Sequence, residues 1–244
     1  MLEAEDVEIS HVLLTHWHGD HTGGVPQLLS QFPHLITSIY KSHPDEGQQP
    51  IEDKQVFAVS GATVRALFTP GHAIDHMCFI LEEENALFTG DNVLGHGFTV
   101  VEDLGVFMAS LDTMQERRYS TGFPAHGHVI KDLPGKIALY KGRYLRRERQ
   151  VVVVLKRLLT KAQVQVQGGV RRDNMHVDTK LRSVTVPELV REIYGDVSEE
   201  ISVMALQPSI NETLQKLAED GTVGFFLDLR NRSPCKCWFL LACY

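Results

Sequence analysis

Side chains that bind metal ions are concentrated in one short stretch near the start of the chain. The segment HVLLTHWHGDHTGG, residues 11–24, carries four histidines and one aspartate within eleven positions. Zn²⁺ readily takes imidazole nitrogen and carboxylate oxygen as ligands, and a catalytic zinc site keeps one position for water. The side chains of His16 and His18 can converge once this loop curls, and Asp20 and His21 follow directly. One loop is therefore expected to serve two adjacent ions.

Three further segments each place a potential ligand just after an apolar or strand-like stretch. They read TPGH, FTGD and PAHG, and they supply His72, Asp91 and His126. Asp91 is well placed to be shared between two ions. His76, four residues after His72, is expected to orient a ligand rather than to bind the metal. The remaining histidines are interpreted as surface or packing residues, namely His11, His34, His43, His96, His128 and His176.

The elements that must carry these loops alternate between strands and helices. A strand over Val7–Leu14 leads into the histidine loop, and a helix follows the Gly23–Gly24 pair. Ligand residues at the ends of alternating strands and helices predict a layered α/β architecture. Residue patterning predicts further strands over 56–59, 62–68, 77–81 and 86–89 and a helix over 105–118.

The second half of the chain is predicted to be mainly helical. Apolar residues recur at helical spacing from Pro134 to Lys161, whereas 163–183 shows no sustained pattern and is interpreted as a loop or insertion. Thr185 and Glu188 form a capping box for the next helix, and Pro208 is expected to bend or break the one after it. A strand at TVGFF completes a winged-helix-like order. The predicted domains are 1–133, a basic connecting helix at 134–162, a linker at 163–183 and a winged-helix-like domain at 184–244.

Composition limits the classes of partner and location. A formal charge of −7 on 244 residues argues against a broad nucleic-acid surface. Three of the four cysteines crowd into the last ten residues, which is no disulfide framework and indicates a reducing compartment. The N-terminal segment MLEAEDVEIS lacks the apolar region of a signal peptide, and no run approaches the ~20 apolar residues of a membrane span. A cytoplasmic location is therefore expected.

The motifs HxHxDH, TPGH, FTGD and PAHG, in this order between Val7 and Ile130, resemble the metallo-β-lactamase superfamily. The resemblance implies an αββα sandwich for the first domain and two zinc ions per chain. Asp20 would also orient the attacking water and help to move its proton. Related diiron oxidoreductases carry a carboxylate at the position of His18, so this histidine favours zinc and hydrolysis over redox chemistry. By the resemblance, the first zinc would be held by His16, His18 and His72, and the second by Asp20, His21 and His126, with Asp91 bridging.

Within the superfamily, the segment from TPGH to VVEDLG and the winged-helix-like C-terminus resemble the β-lactamase-like protein 2 group. This group contains fungal thioesterases, such as atrochrysone carboxyl ACP thioesterase, that release an aromatic polyketide from the acyl carrier protein of a non-reducing polyketide synthase. It also contains a mitochondrial endoribonuclease of animals. The stretches THWHGDHTGGVPQLL, TSIYK and LAEDGTVGF resemble the fungal set more closely. The resemblance therefore implies thioester hydrolysis, with single-strand RNA cleavage as the alternative and an inactive relative as the third reading.

The charge distribution and the two chain ends add four expectations. Nine Lys or Arg against one Glu between 136 and 161 would suit an acidic carrier protein or a phosphate backbone, and a solvated helix surface accounts for them equally well. The C-terminal domain is more acidic than basic, so DNA binding is not expected. Only fifteen residues precede His16, where relatives carry several strands, so an N-terminally truncated sheet is expected. The tail LRNRSPCKCWFLLACY is expected to depart from the strand that follows TVGF in relatives.

Overall fold

The computed structural model describes residues 8–167, 183–229 and 234–241, with side chains described as far as residue 161 in the first range. The chain divides into two compact units, 1–141 and 142–244. The finer predicted division stays a prediction, but the start of its linker is wrong, because helix α4 (Leu133–Gln167) continues through residues 163–167. In the described ranges, no helix is long and apolar enough to cross a membrane.

The first unit begins with a small parallel sheet. Its strands are β1 (Val12–Leu13), β2 (Ile39–Lys41) and β3 (Gln49–Pro50). The strand predicted over 7–14 is shorter than expected, because β1 pairs with the three-residue β2 at only two positions. Val7 lies outside the described residues. Two helices and a 3₁₀ turn connect β1 to β2, namely α1 (Gly19–Thr22), α2 (Val25–Gln31) and Pro33–Thr37.

A five-stranded sheet provides the main frame of the same unit. In spatial order its strands are β4 (Val56–Val59), β5 (Ala62–Phe68), β6 (Met77–Leu81), β7 (Ala86–Gly90) and β8 (Thr121–Pro124). Strands β4 to β7 pair antiparallel, and β8 joins β7 in parallel. Strands β4, β5 and β6 have their predicted bounds, and β7 runs one residue further, to Gly90.

The two sheets pack on one apolar cluster. Phe57, Met77 and Phe79 of the larger sheet are buried there against Leu13 and Tyr40 of the smaller sheet. Because β6 also buries Cys78 and Ile80 on its other face, this strand is covered on both sides, as in a layered α/β fold.

Helix α3 (Leu104–Glu116) lies close to the predicted range of 105–118. Its first turn is capped by Asp103, whose carboxylate accepts a hydrogen bond from the Val106 N–H at 2.9 Å. Phe107, Leu111 and Met114 recur at helical spacing and are buried. The alternation of strands and helices read from the sequence is therefore present in the first unit.

The second unit contains the C-terminal part of α4 followed by mixed elements. These are β9 (Val184–Thr185), α5 (Val186–Tyr194), α6 (Glu199–Ile201), a π-helical turn (Ser202–Leu206), α7 (Gln207–Glu219), β10 (Val223–Asp228) and β11 (Cys235–Leu240). The capping box is confirmed, because the Glu188 carboxylate accepts a hydrogen bond from the Thr185 N–H at 2.7 Å. The π-helical turn ends two residues before Pro208, where a break in the helix was predicted.

The C-terminal segment is more regular than expected. β11 pairs antiparallel with β10 over six residues and with β9 at Val184 and Thr185, so it is the central strand of a three-stranded sheet. Trp238 on β11 is fully buried in the core of this unit. The segment Cys235–Leu240 therefore forms a strand between two partners, and Trp238 and Leu240 pack into the core of this unit. The winged-helix class of this unit stays a prediction.

Candidate metal centre

The histidine loop is fastened between the two sheets of the first unit. The Leu14 N–H donates to the Tyr40 carbonyl at 2.8 Å, and the Thr15 carbonyl accepts from the Met77 N–H at 2.7 Å. His18 is the residue before α1, and its carbonyl accepts from the His21 N–H at 3.0 Å. This tight turn curls the chain, so that ligands two to five residues apart meet at one place.

The first group of ligands consists of three imidazole nitrogens. His16 Nε2 lies 2.9 Å from His18 Nδ1, and His72 Nε2 lies 3.3 Å and 3.1 Å from these two atoms. Tetrahedral zinc with Zn–N bonds of about 2.0 Å holds its ligand nitrogens about 3.3 Å apart. The three nitrogens are therefore at the spacing that one metal ion requires.

The second group adds a carboxylate to two imidazoles. Asp20 Oδ2 lies 3.4 Å from His21 Nε2 and 3.2 Å from His126 Nε2. The Asp20 side chain is 59% exposed, so this group is open to solvent, whereas His16 and His72 are buried.

Asp91 lies between the two groups. Its Oδ2 is 3.6 Å from His72 Nε2 and 3.5 Å from His21 Nε2, and its Oδ1 is 3.5 Å from His126 Nε2. One carboxylate therefore faces ligands of both groups, the position expected for a bridge. All seven residues selected from the sequence are thus brought together.

Two observations test whether these residues suit a metal ion. His21 Nε2 and Asp91 Oδ1 are buried and have no hydrogen-bond partner among the described residues, which is costly for polar atoms unless a cation satisfies them. Burial, followed by the nearby His21, His72 and His18, lowers the pKa of His16 to about 3. His16 is therefore neutral at physiological pH, in the form that binds metals. The donor set fits a metal ion.

Neighbouring groups fix the orientation of the ligands. His72 Nδ1–H donates to the Val100 carbonyl at 2.8 Å, which leaves its Nε2 lone pair facing the other imidazoles. Burial lowers the pKa of His72 although the Val100 carbonyl and Asp91 oppose this effect. Thr15 Oγ1 lies 3.0 Å from His16 Nδ1.

His76 binds the backbone of Asp91 and belongs to none of the groups of potential metal ligands found among the described residues. Its fully buried ring accepts a hydrogen bond from the Asp91 N–H at Nε2, with a distance of 3.0 Å, and Thr69 Oγ1 lies 3.2 Å from Nδ1. Burial holds the pKa of His76 well below its usual value, which keeps Nε2 available as an acceptor. Gly90 makes this contact possible, because a Cβ there would lie 2.5 Å from His76 Nε2.

Two functional contacts were missed by the sequence reading. Asp75 is buried, and its Oδ1 accepts a hydrogen bond from the Trp17 N–H at 3.3 Å, which fixes the histidine loop. Tyr140 on α4 accepts from the Leu94 N–H at 3.1 Å and anchors the loop after Asp91. The only available signal for Asp75 was a carboxylate beside His76, and Tyr140 had none beyond its apolar spacing.

Other candidate residues are not drawn into the cluster. His11 packs its ring on Tyr40 and Phe57, with ring centroids 5.6 Å and 5.4 Å away. Within the described part of the chain, the groups of side chains able to hold a metal contain none of His34, His43, His96 or His128. His176 and Cys243 lie outside the described residues.

Comparison with known proteins places this site in a family. Residues 2–126 match the metallo-beta-lactamase superfamily. The chain therefore belongs to this superfamily. A crystal structure of a beta-lactamase domain protein from Burkholderia ambifaria has a TM-score of 0.70 at 13% identity, covering 97% of this chain and 76% of that one. The predicted α/β fold of the superfamily is confirmed.

The curated relatives are more specific. A protein named atrochrysone carboxyl ACP thioesterase from Aspergillus chevalieri is 52% identical over 236 residues, covering 97% of this chain and 70% of its own length. The lactamase-like protein adaB from Aspergillus niger is 54% identical over 224 residues, covering 92% and 67%. These matches confirm the predicted resemblance to the fungal thioesterases and the assignment of the chain as a hydrolase. Superfamily membership and the His/Asp cluster support metal binding.

Proposed function

We propose that this chain hydrolyses the thioester that joins an aromatic polyketide to the acyl carrier protein of a non-reducing polyketide synthase, with two Zn²⁺ ions as cofactor. The observation that carries the proposal is the convergence of seven ligand-type side chains in two groups, with Asp91 facing His72 of one group and His21 and His126 of the other. Relatives about 50% identical over nearly the whole chain and named atrochrysone carboxyl ACP thioesterase support the substrate class.

The ligands would divide into His16, His18 and His72 for one ion and Asp20, His21 and His126 for the other, with Asp91 shared. Zinc bound there would polarise the thioester carbonyl and lower the pKa of a bound water to about 7, so no Ser or Cys nucleophile is needed. Thr15 and the Val100 carbonyl orient the rings of His16 and His72, and His76 holds the backbone of Asp91.

Asp20 would accept the proton of the attacking water. Slight desolvation raises the pKa of its carboxyl, but hydrogen bonding to its own backbone N–H and the nearby His21 and His126 outweigh this effect, so the pKa is lowered. The carboxylate is therefore ionised at neutral pH and, being largely exposed, is accessible to water.

The other two readings gain less support. The relatives reported above carry thioesterase or lactamase-like names, which does not favour the endoribonuclease alternative. The completeness of the ligand set argues against an inactive relative.

The carrier protein would contact an exposed face of α4 in the second unit. Leu145, Arg146, Arg149, Val153 and Lys156, here called the basic stripe, fall within an arc of about 100° at 100° per residue. Leu145 and Val153 are exposed, and the carboxylates of the described residues form no ion pair with the three cations of the stripe. Free positive charge beside exposed apolar side chains suits an acidic protein surface.

Arg147, another of the nine cations between 136 and 161, faces elsewhere. Its guanidinium donates to Ser209 Oγ at 2.7 Å and lies 5.8 Å from the centre of the Tyr194 ring. Arg157 and Lys161 are paired with Glu192. These three cations hold the second unit together and are poor probes of carrier binding.

Zinc content measured together with hydrolysis of an aryl thioester tests the proposal. The purified full chain should bind two zinc ions and release the aryl acid, and His72→Ala should lose zinc and lower kcat/KM at least about 100-fold. His34→Ala, an exposed histidine outside the cluster, is the matched control and should match the wild type. Fewer than one zinc per chain, or zinc without thioester cleavage, would contradict the proposal.

A further inference from the structure

Exposed apolar side chains lie beside the His16–His18–His72 group, in which His16 and His72 are buried and His18 is half-buried. Trp17 is 51% exposed, Ile74 66% and Val100 78%. We call these three residues the apolar rim. Exposure of a single apolar residue is ordinary, but three next to one polar site indicate a surface that something covers.

The chain at each residue of the apolar rim is connected to the ligand cluster. For Trp17 and Val100 the residue itself makes the contact, and for Ile74 the next residue makes it. The Trp17 ring lies with its centroid 4.5 Å from that of His18. The backbone N–H of Trp17 donates to the carboxylate of Asp75, the residue that follows Ile74. The Val100 carbonyl accepts from His72 Nδ1. Hydrogen bonds of the Trp17 and Val100 backbones therefore fix the chain of the apolar rim beside the ligands.

The two halves of the cluster present different chemistry to solvent. On the side of Asp20 and His126 the exposed groups are polar. On the three-imidazole side two of the three ligands, His16 and His72, are buried, and the exposed residues beside them are apolar. A group that stacks on the exposed part of the indole would remove apolar surface from water without rearranging the loop, because the Trp17 backbone is held by Asp75.

We propose that the apolar rim binds the planar aromatic acyl part of the substrate, and that Trp17 is the residue on which the fused rings stack. This inference rests on the proposed function for its choice of ligand. Stacking beside the three-imidazole group would leave the thioester carbonyl near the ligands while the carrier-linked sulfur points away from the indole. Trp17 is then a specificity-determining residue, favouring aryl over small acyl groups.

Binding without turnover provides the first test. The probe is anthraquinone-2-carboxamide, a neutral three-ring compound without a carboxylate to bind metal, titrated into the full chain by calorimetry. The wild type and Ile36→Ala, which alters an exposed apolar residue of the 3₁₀ turn, should bind equally. Trp17→Phe should lose less than about threefold in affinity and Trp17→Ala about tenfold or more. Equal binding by wild type and Trp17→Ala, or no saturable binding, overturns the proposal.

Kinetics provide the second test and separate the two proposals. With N-acetylcysteamine thioesters, Trp17→Ala should lower kcat/KM about tenfold more for the 2-naphthoyl substrate than for the acetyl substrate. Equal losses on both substrates, or a change of oligomeric state in Trp17→Ala, would overturn the role of the rim. If no thioester is cleaved but carboxamide binding still depends on Trp17, the proposed function fails and the aromatic site stands.

Discussion

Protonation of single histidines links the metal ligands to the stability of the fold. Burial depresses the pKa of His16 to about 3 and also lowers that of His72, whereas an unfolded chain would titrate both near 6.5. Between these values the unfolded state binds more protons than the folded state. Acid therefore favours unfolding of the metal-free protein.

After removal of metal with a chelator, the free energy of unfolding should fall as the pH falls below about 6.5. The limiting slope is about 1.4 kcal/mol per pH unit for each such histidine. Urea unfolding at pH 7.5, 6.5, 5.5 and 4.5 measures this slope. His16→Gln should have a shallower slope, while His34→Ala, at an exposed position, should follow the wild type. A slope that is unchanged in His16→Gln would show that burial of this imidazole does not control the acid sensitivity.

The positions at which strands end determine where the side chains of the site lie. β7 ends at Gly90 with φ of 49°, and this left-handed residue lets the chain pass His76 and deliver the Asp91 N–H to its ring. An L-residue there meets both an unfavourable backbone conformation and a steric conflict with a fully buried side chain.

Gly90→Ala should destabilise the protein by about 2 kcal/mol more than Gly61→Ala and reduce zinc content. Gly61 has φ of 83° in the β4–β5 hairpin, and a Cβ there would meet nothing within 4 Å. The pair therefore shares the backbone cost and differs in the contact with His76. Chemical denaturation and metal analysis measure the two effects, and equal losses of stability would refute the steric argument.

The basic stripe of α4 leads to a separate prediction about binding of the carrier protein. Replacement of Arg146, Arg149 and Lys156 by Glu should raise KM for a carrier-linked thioester about tenfold at low salt. The KM for a free thioester should not change, because only the carrier-linked substrate brings an acidic protein surface. The wild-type KM should rise with salt and that of the variant should not. Lys54→Glu, an exposed cation of the first unit, is the control. An equal effect on both substrates would exclude a carrier-binding role.

At the scale of the molecule, the metal centre joins parts of the first unit that are far apart in sequence. Its ligands come from the loop after β1, the β5–β6 connection, the end of β7 and the segment after β8. A metal ion that binds only this folded arrangement stabilises it by mass action.

Free zinc at about 1,000 times its Kd should stabilise the chain by about 4 kcal/mol, and chelation should lower Tm accordingly. Calorimetric scans over a series of zinc concentrations measure this. Asp91→Asn should shift Tm much less with zinc, whereas Asp112→Asn, at an exposed position of α3, should shift as the wild type does. An equal shift in Asp91→Asn would place the metal elsewhere.

The sequence determined the seven side chains of the cluster, the strands that end beside them and the capping box at Thr185, because these depend on residue type and on spacing along the chain. The opening loop carries four ligands, and its turn at α1 follows from local hydrogen bonds. Tertiary structure alone decided which atoms face one another. The contact of His76 with the Asp91 N–H and the contact of Asp75 with the Trp17 N–H join residues 15 and 58 positions apart. Such bonds use backbone groups, which every residue offers, so no pattern of side chains reveals them. The same reason explains the C-terminal tail, whose place as a central strand depends on the partners β9 and β10 rather than on its own residues.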